Sequence, residues 1–339
     1  MNKYKTVTNY NEVDIEDWNY FVTNHPNGNI FQTSYIFRAY ELSKNYEPLI
    51  LAVYDKDNLL VGIQVAVILK EYDNILGDLT KRAIIQGGPL VINNNQEILE
   101  LLLFEYLKII RKKAIYSQYR NMWDWGNLKS VFFKYKIIFE DHLDILFDLN
   151  KGEEGLLKEM KHTRRHGINK SIKKGIKVNP IDLSDKETLE KTYGILLNVY
   201  NRIKLPLPEI SFFQNVVGEL TDKVYALGAF IDNELIAIRI VLSYKGLVYD
   251  WYGGAKDEYL NLRPNDILPW DMIKWGISNN YNIFDFGGAG KPDIPYGVRD
   301  YKLQFGGNLV NFGRFEIVHK PFLMNIAKIG LQLKQKLNI

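Results

Sequence analysis

Residues 281–307 read YNIFDFGGAGKPDIPYGVRDYKLQFGG. The stretch opens on an apolar run, Ile283 to Phe286, that breaks at Gly287-Gly288. A strand that stops on two glycines admits another backbone, or a ligand, at close range. Lys302 follows in YKLQFGG, again beside an aromatic, Phe305, and a glycine pair that begins at Gly306. One cation held between two glycine-punctuated strand ends would suit an anion or an oxyanion. The same residues also read as two loops and a solvated lysine, and both readings stand at this stage. Three other motif matches fail. Asp285-Phe286-Gly287 looks like a kinase DFG, but the chain has no Gly-rich loop with a strand lysine and no HRD loop. Gly290-Lys291 looks like the end of a P-loop, but Asp285 stands where the first glycine belongs and Pro292 follows the lysine. No GxGxxG opens a helix after a strand, so a dinucleotide fold is not indicated.

Upstream, Val224–Ile231 and Glu234–Tyr244 read as strands around the turn Asp232-Asn233. A third strand, Gly246 to Tyr252, is expected to stop at Gly253-Gly254, and a helix follows from Ile267 to Ser278. The first half repeats this plan. Leu49–Tyr54 and Leu59–Leu69 flank a turn, Ile84-Ile85-Gln86 stops at Gly87-Gly88-Pro89, and Ile98–Ala114 reads as a helix. AVYDKDNLLVGIQVAVI aligns with GAFIDNELIAIRIVL, and internal duplication is the simplest account. Residues 13–45 read as helical, with Thr33 or Ser34 as an N-cap, and further strands are expected near 119–125 and 143–149. Each half is thus expected to be an α+β unit with a mostly antiparallel sheet. The expected domains are 1–149, joined by a C-terminal helix in 320–339, and 150–319, because KGEEG after Asn150 breaks the pattern. In the last helix Phe322, Ile326, Ile329, Leu333 and Leu337 form an apolar stripe flanked by lysines. Such a stripe suits peripheral contact with a membrane, but packing back across the first domain is the expectation.

At 339 residues the chain has room for about two domains. With 46% hydrophobic and 24% charged residues it falls in the ordinary globular class. A net charge of +3 permits contact with phosphates without demanding nucleic acid, and stable DNA binding is not expected. The absence of cysteine excludes a disulfide framework and thiol catalysis. The polar start, MNKYKTVTNYNEVDIEDW, lacks a signal-peptide core, and the longest apolar run, Leu59 to Leu69, is too short to span a bilayer. A cytoplasmic location is expected.

At the junction stands GLLKEMKHTRRHGINKSIKKGIKV, with seven Lys or Arg and no acidic residue from Lys161 to Lys177. A solvated helix face is the default reading of such a run, and a footprint for phosphate or tRNA is the other. His162 and His166 lie at i, i+4, which can put two metal ligands on one face. Arg164 and Arg165 stand between them and no third ligand is apparent, so no metal is expected.

Taken in order, FQTSYIF, QGGPLV, TRRHGINKSIKKGIKV, NRIKLPLPEISFF, WYGGA, IFDFGG and YKLQFGG resemble the FemABX family, over most of the chain. The resemblance implies two tandem GNAT-like domains. It also implies an aminoacyltransferase that moves an amino acid from aminoacyl-tRNA to an amine of a peptidoglycan precursor, nucleotide- or lipid-linked, without a bound cofactor. Lys302 matches the family lysine that faces the carbonyl oxygen of the aminoacyl ester, with Gly287, Gly288, Phe305 and Gly306 around it. Arg202 in NVYNRIKLP matches an arginine that contacts the precursor's diphosphate, for which a guanidinium fork is suited. Where bridge-forming members have a lysine eight residues after the glutamine of the first helix, this chain has Tyr40, and Arg38 is the candidate substitute. That departure bears on the nucleotide-sugar substrate. Asp285 and Asp124 are the candidates by position for a base. The alternatives are an acyl-CoA-dependent GNAT N-acyltransferase acting on a surface-polysaccharide or other amine substrate and a non-catalytic protein that kept the fold. Acyl-CoA enzymes usually carry a glycine-rich loop at a helix start, where backbone N–H groups hold the pyrophosphate. KDEYLNLRPNDILPW and QGGPLVINNNQEI lack those glycines.

Overall fold

Two hairpins of the same plan seed two sheets in the computed structural model, which describes residues 3–70, 77 and 80–326. In chain order the strands are β1 (Tyr4–Val7), β2 (Tyr46–Asp55), β3 (Leu60–Leu69), β4 (Arg82–Gln86), β5 (Leu90–Val91), β6 (Tyr116–Arg120), β7 (Ile138–Glu140), β8 (Leu143–Asp148), β9 (Lys177–Pro180), β10 (Val224–Ile231), β11 (Glu234–Tyr244), β12 (Leu247–Ala255), β13 (Ile283–Gly288), β14 (Asn308–Asn311) and β15 (Arg314–Val318). The helices used below are α1 (Ile15–Asn24), α2 (Ser34–Glu41), α3 (Gln96–Lys113), α4 (Lys129–Lys134), α5 (Gly152–Glu159), α6 (His162–Lys173), α7 (Lys186–Ile203), α8 (Ile210–Leu220), α9 (Pro264–Ser278) and α10 (Gly297–Leu303).

The chain divides into two units, Met1–Asp141 with the segment from Phe312 onward, and His142–Asn311. The first unit holds a sheet of order β1-β2-β3-β4-β6-β15-β7, with β5 paired to β3. The second holds β14-β8-β13-β12-β11-β10-β9. Both are mixed α+β sheets of one design. An antiparallel meander (β2-β3-β4, β10-β11-β12) leads into a helix (α3, α9) that crosses over to a parallel strand (β6, β13). Parallel neighbours need such a crossover because a tight turn reverses direction. Helix α3 forms because Ile98, Leu102, Leu103, Tyr106 and Ile110 recur at helical spacing, and the Asn95 side chain caps its first turn. The turn Asp232-Asn233 takes positive φ at both residues, which suits Asn and Asp and closes β10 on β11.

Several expectations are corrected. Strand β8 pairs with β13 and β14 in the second sheet, and β15 inserts between β6 and β7 in the first. Each sheet therefore draws one strand from beyond the expected boundaries at 149/150 and 319/320. The strand expected near 119–125 ends at Arg120, and β12 runs through Gly253-Gly254 to Ala255. Lys302 stands in a short helix, α10, rather than at a strand end. Residues 13–45 split into α1 and α2 around a 3-10 turn, Ile30–Gln32. Of the C-terminal stripe only Phe322 and Ile326 are within the described residues, in a short helix at 321–326, where both are exposed. Ile329, Leu333 and Leu337 lie outside the described residues. Among the described residues no helix is long and apolar enough to cross a membrane.

One side chain completes the first sheet. The β3–β4 ladder covers only Val67↔Ile84 to Leu69↔Arg82. Beyond it the buried amide of Gln32 donates from Nε2 to the carbonyls of Val65 (3.2 Å) and Gln86 (2.8 Å), and its Oε1 accepts the Val65 N–H (2.8 Å). The amide stands in for a missing stretch of ladder, as buried backbone groups demand. Gln32→Leu should cost about 2–4 kcal/mol, because it leaves several buried groups without partners. Urea unfolding followed by tryptophan fluorescence measures this, and a loss under about 0.5 kcal/mol would show that the bridge contributes nothing.

Candidate active site

In the second sheet the parallel pairing of β12 with β13 is short. It runs from Leu247↔Ile283 through Val248↔Phe284 to Tyr249↔Asp285 and stops, although β12 goes on to Ala255 and β13 to Gly288. The corresponding pair in the first sheet, β4 and β6, stays paired from Arg82↔Tyr116 to Gln86↔Arg120. The opening after Asp285 is therefore a property of the second unit. Gly287, at φ +72°, turns the backbone there as only glycine does without strain, and the β13–β8 register slips between Asp285 and Gly288.

Charged groups collect at this opening. Lys302, on α10, donates from Nζ to the carbonyls of Phe286 (2.5 Å) and Gly288 (3.0 Å), and Nζ stands 5.2 Å from the centre of the Phe286 ring. Burial pushes its ammonium below the usual lysine value, while Asp250, Asp285 and Asp144 pull it back up. An ammonium has three N–H donors, and two are held by the strand. Asp285 is buried, and one of its carboxylate oxygens accepts the Gly287 N–H at 2.7 Å. Burial pushes its carboxyl up to about 6, against the lowering effects of that N–H and of Lys302. Beneath them Arg239 donates from Nε and Nη2 to the two carboxylate oxygens of Asp250 (2.7 and 2.6 Å) and lies 5.0 Å from the Phe286 ring centre. This bidentate pair sits almost out of solvent, where breaking one partner is costly.

A second buried pair anchors the surrounding helices. Arg164 of α6 pairs with Asp266 in the first turn of α9, and its guanidinium covers the rings of Tyr301 (4.5 Å) and Phe305 (4.6 Å). Gly167 allows this approach, since a Cβ there would stand 1.9 Å from Asp266 Oδ2. The N-terminus of α9 thus already carries an acidic side chain, covered by α6, and its first residue, Pro264, has no N–H to offer. A cleft of about 370 Å³ beside it is lined by Thr163, Arg164, Arg263, Asn265, Asp266 and Gln304.

Residues 162–303 match a family model described as an acetyltransferase (GNAT) domain. The whole chain is similar in structure to FemX, with a TM-score of 0.72 and 15% identity over 95% of this chain and 100% of that one. The chain has the double GNAT fold. It is also similar to L-PGS from Bacillus licheniformis (TM-score 0.59, 13% identity, 93% of this chain and 96% of that one). A tandem GNAT protein from the clavulanic acid biosynthesis pathway, solved without AcCoA, shows 0.61 and 9% over 93% and 98%. No curated protein matches in sequence. The likeness to the FemABX family, the tandem α+β architecture and the acyltransferase class expected from the sequence are borne out at this level.

Within this double GNAT fold the sequence-derived residues separate. Lys302, Gly287, Gly288 and Asp285 come together at the strand opening. Phe305 is fully buried behind them under Arg164, and Gly306 packs against Glu159, so these two support α10. Arg202 ends α7 in an exposed ion pair with Asp257, and a phosphate there competes with a carboxylate. In the first unit Arg38 pairs with Glu41 on the surface, and Tyr40 stacks on Tyr46 at 5.8 Å, with its hydroxyl pushed up by burial. Asp124 caps a turn at Gly126 N (3.1 Å) and pairs with Lys129 (2.8 Å), the structural role. His162 and His166 stack at 6.5 Å, and among the described residues no cluster of three metal-ligating side chains occurs. Arg239, Asp250 and the Arg164–Asp266 pair were not singled out from the sequence. The available signal was one charge inside the apolar run LIAIRIVL, since a charge in a buried strand must be paired.

Asp285→Asn keeps the acceptor for Gly287 N–H and removes the buried charge. Because the folded-state value is raised, ionising Asp285 lowers stability as pH rises from about 4 through about 6. The variant should therefore be more stable than the parent at pH 8, by on the order of 1–3 kcal/mol, with the gain vanishing near pH 4. Thermal unfolding at the two pH values checks this. A destabilised variant at pH 8 would show that the carboxylate is held by a structural partner.

Proposed function

We propose that the protein is an aminoacyltransferase that moves an amino acid from aminoacyl-tRNA to an amine of a peptidoglycan-type cell-wall precursor. The observation that carries this reading is the fixed Lys302 ammonium, in the field of Asp285, where the β12–β13 ladder stops. Acyl transfer to an amine passes through a tetrahedral oxyanion. A donor already locked on two carbonyls needs no reorganisation to stabilise it. The acceptor nitrogen attacks the ester carbonyl carbon, and the third N–H of Lys302 meets the developing oxyanion. Asp285, with its carboxyl near 6, takes the amine proton. The carbon–oxygen ester bond then breaks, the ribose hydroxyl leaves with a proton, and the amide remains. No covalent enzyme intermediate is needed. The likeness of the fold to FemX supports the cell-wall direction of the reading.

The second reading, an acyl-CoA-dependent N-acyltransferase, is favoured by the acetyltransferase description of the matching domain. Against it stands the start of α9. A pyrophosphate bound there would meet Asp266, Pro264 in place of an N–H donor, and the closely packed α6.

Purified protein with bulk charged tRNA and a UDP-linked muropeptide should yield a precursor heavier by one amino-acid residue in mass spectrometry. Lys302→Ala should lower that rate at least about a hundredfold when assayed below the variant's own melting transition, which falls because two carbonyls lose their donor. Transfer at near wild-type rate by the variant would remove Lys302 from the mechanism, and transfer from acyl-CoA alone would replace the first reading with the second.

A further inference from the structure

The basic run at the junction forms α6, and its two faces differ sharply. Arg164, Gly167, Ile168 and Ser171 are buried against α9. The opposite side carries two adjacent stripes at i, i+4, i+8 and i+12, namely Lys161, Arg165, Asn169 and Lys173, and His162, His166, Lys170 and Lys174, all exposed. From Lys161 to Lys173 this face is about 18 Å long. Lys161, Arg165, Lys170 and Lys173 make no ion pair among the described residues. On the neighbouring helices lysines are matched by acids, as Lys151 is by Glu159 and Lys191 by Glu187. A solvated helix face normally intersperses both signs, whereas this one holds a single sign with no counter-charge.

The start of α6 abuts the candidate active site. Lys161 N donates to the carbonyl of Gln304 (2.9 Å), two residues past Lys302, and Arg164 Nη2 donates to Gln304 Oε1 (3.2 Å). From within the same unit, Arg164 holds α6 over Tyr301 and Phe305. We infer that the exposed face of α6 binds the sugar–phosphate backbone of an RNA and so delivers that RNA's acylated end to Lys302. This rests on the aminoacyl-tRNA reading and adds to it the surface that would hold the donor. An anionic membrane is the lesser fit, since the helix turns its apolar stripe inward and presents only Ile172 as a large exposed apolar side chain.

The test compares the full chain with the triple variant Arg165→Gln, Lys170→Gln, Lys173→Gln. A control variant, Lys56→Gln, Lys108→Gln, Lys186→Gln, removes the same charge elsewhere. Fluorescence anisotropy with uncharged tRNA and with a short RNA hairpin is followed from about 50 to 200 mM KCl. The α6 variant should bind at least tenfold more weakly at low salt. Its slope of log affinity against log salt should flatten by about 2–3, near 0.9 for each lost phosphate contact. The control variant should match the parent, and both should melt as the parent does. Equal affinity and slope for parent and α6 variant would overturn the inference. So would the absence of RNA binding, or α6-dependent sedimentation with phosphatidylglycerol vesicles in place of RNA binding. The transfer assay separates this inference from the donor reading. RNA bound through α6 without aminoacyl transfer leaves the face standing and removes the donor reading. Transfer from aminoacyl-tRNA with an unchanged KM in the α6 variant removes the face and leaves the donor reading.

Discussion

Three residue pairs hold β12 parallel to β13, and beyond Tyr249 and Asp285 no ladder joins the two strands. The other features at the candidate site follow from that interruption. Backbone groups at a strand opening need partners, because the surrounding sheet excludes water. Lys302 supplies donors to two of the carbonyls, and Asp285 accepts the N–H of the glycine that makes the turn. The groups that complete the sheet are thus the same groups available for chemistry. The first sheet handles its own interruption, between β3 and β4, with the neutral amide of Gln32. The same architecture, completed once with an uncharged side chain and once with charged ones, gathers its buried charge in the second unit.

Buried charge is tolerated there through pairing in layers. Arg239 and Asp250 neutralise each other beneath Phe286, and Arg164 and Asp266 do so beside Tyr301 and Phe305. Lys302 and Asp285 feel the charge of Asp250, and Lys302 is held by backbone carbonyls rather than by one carboxylate. Desolvation therefore acts on both and pushes their proton affinities toward each other. This is the arrangement in which a cation and a carboxylate can exchange roles with a substrate, since each keeps unspent capacity for a further hydrogen bond.

The legible parts of this fold were those set by local rules. Val224–Ile231 and Glu234–Tyr244 were readable to the residue, because alternating apolar strands and an Asp-Asn turn specify a hairpin without help from elsewhere. Helix α3 was readable from its period. The α10 helix was not, since GVRDYKL is short, lacks a side-chain cap and follows a loop rich in Pro and Gly. Its fold is imposed by Phe305 and Tyr301 packing under Arg164. The exchange of β8 and β15 between sheets was equally hidden, because strand partners are chosen by contacts far apart in sequence. At the site, Lys302 and Asp285 were visible as motifs, but their proximity to Arg239 and Asp250 depends on β11, β12 and β13 lying side by side.

The placement of β15 has a bearing on the order of events during synthesis. The second unit is inserted within the first, and the chain enters and leaves it side by side, with His142 N donating to Asn311 Oδ1 at 3.1 Å. All of its strands have emerged before the first unit receives β15, which is the strand that β7 pairs with, and Phe315, which stacks on Phe132 at 4.0 Å. At roughly 5–20 residues per second, the ribosome needs about 10–35 s to go from Glu140 to Arg314. During that interval β6 keeps an open edge and Phe132 lacks its stacking partner. The unit translated first is therefore the one completed last.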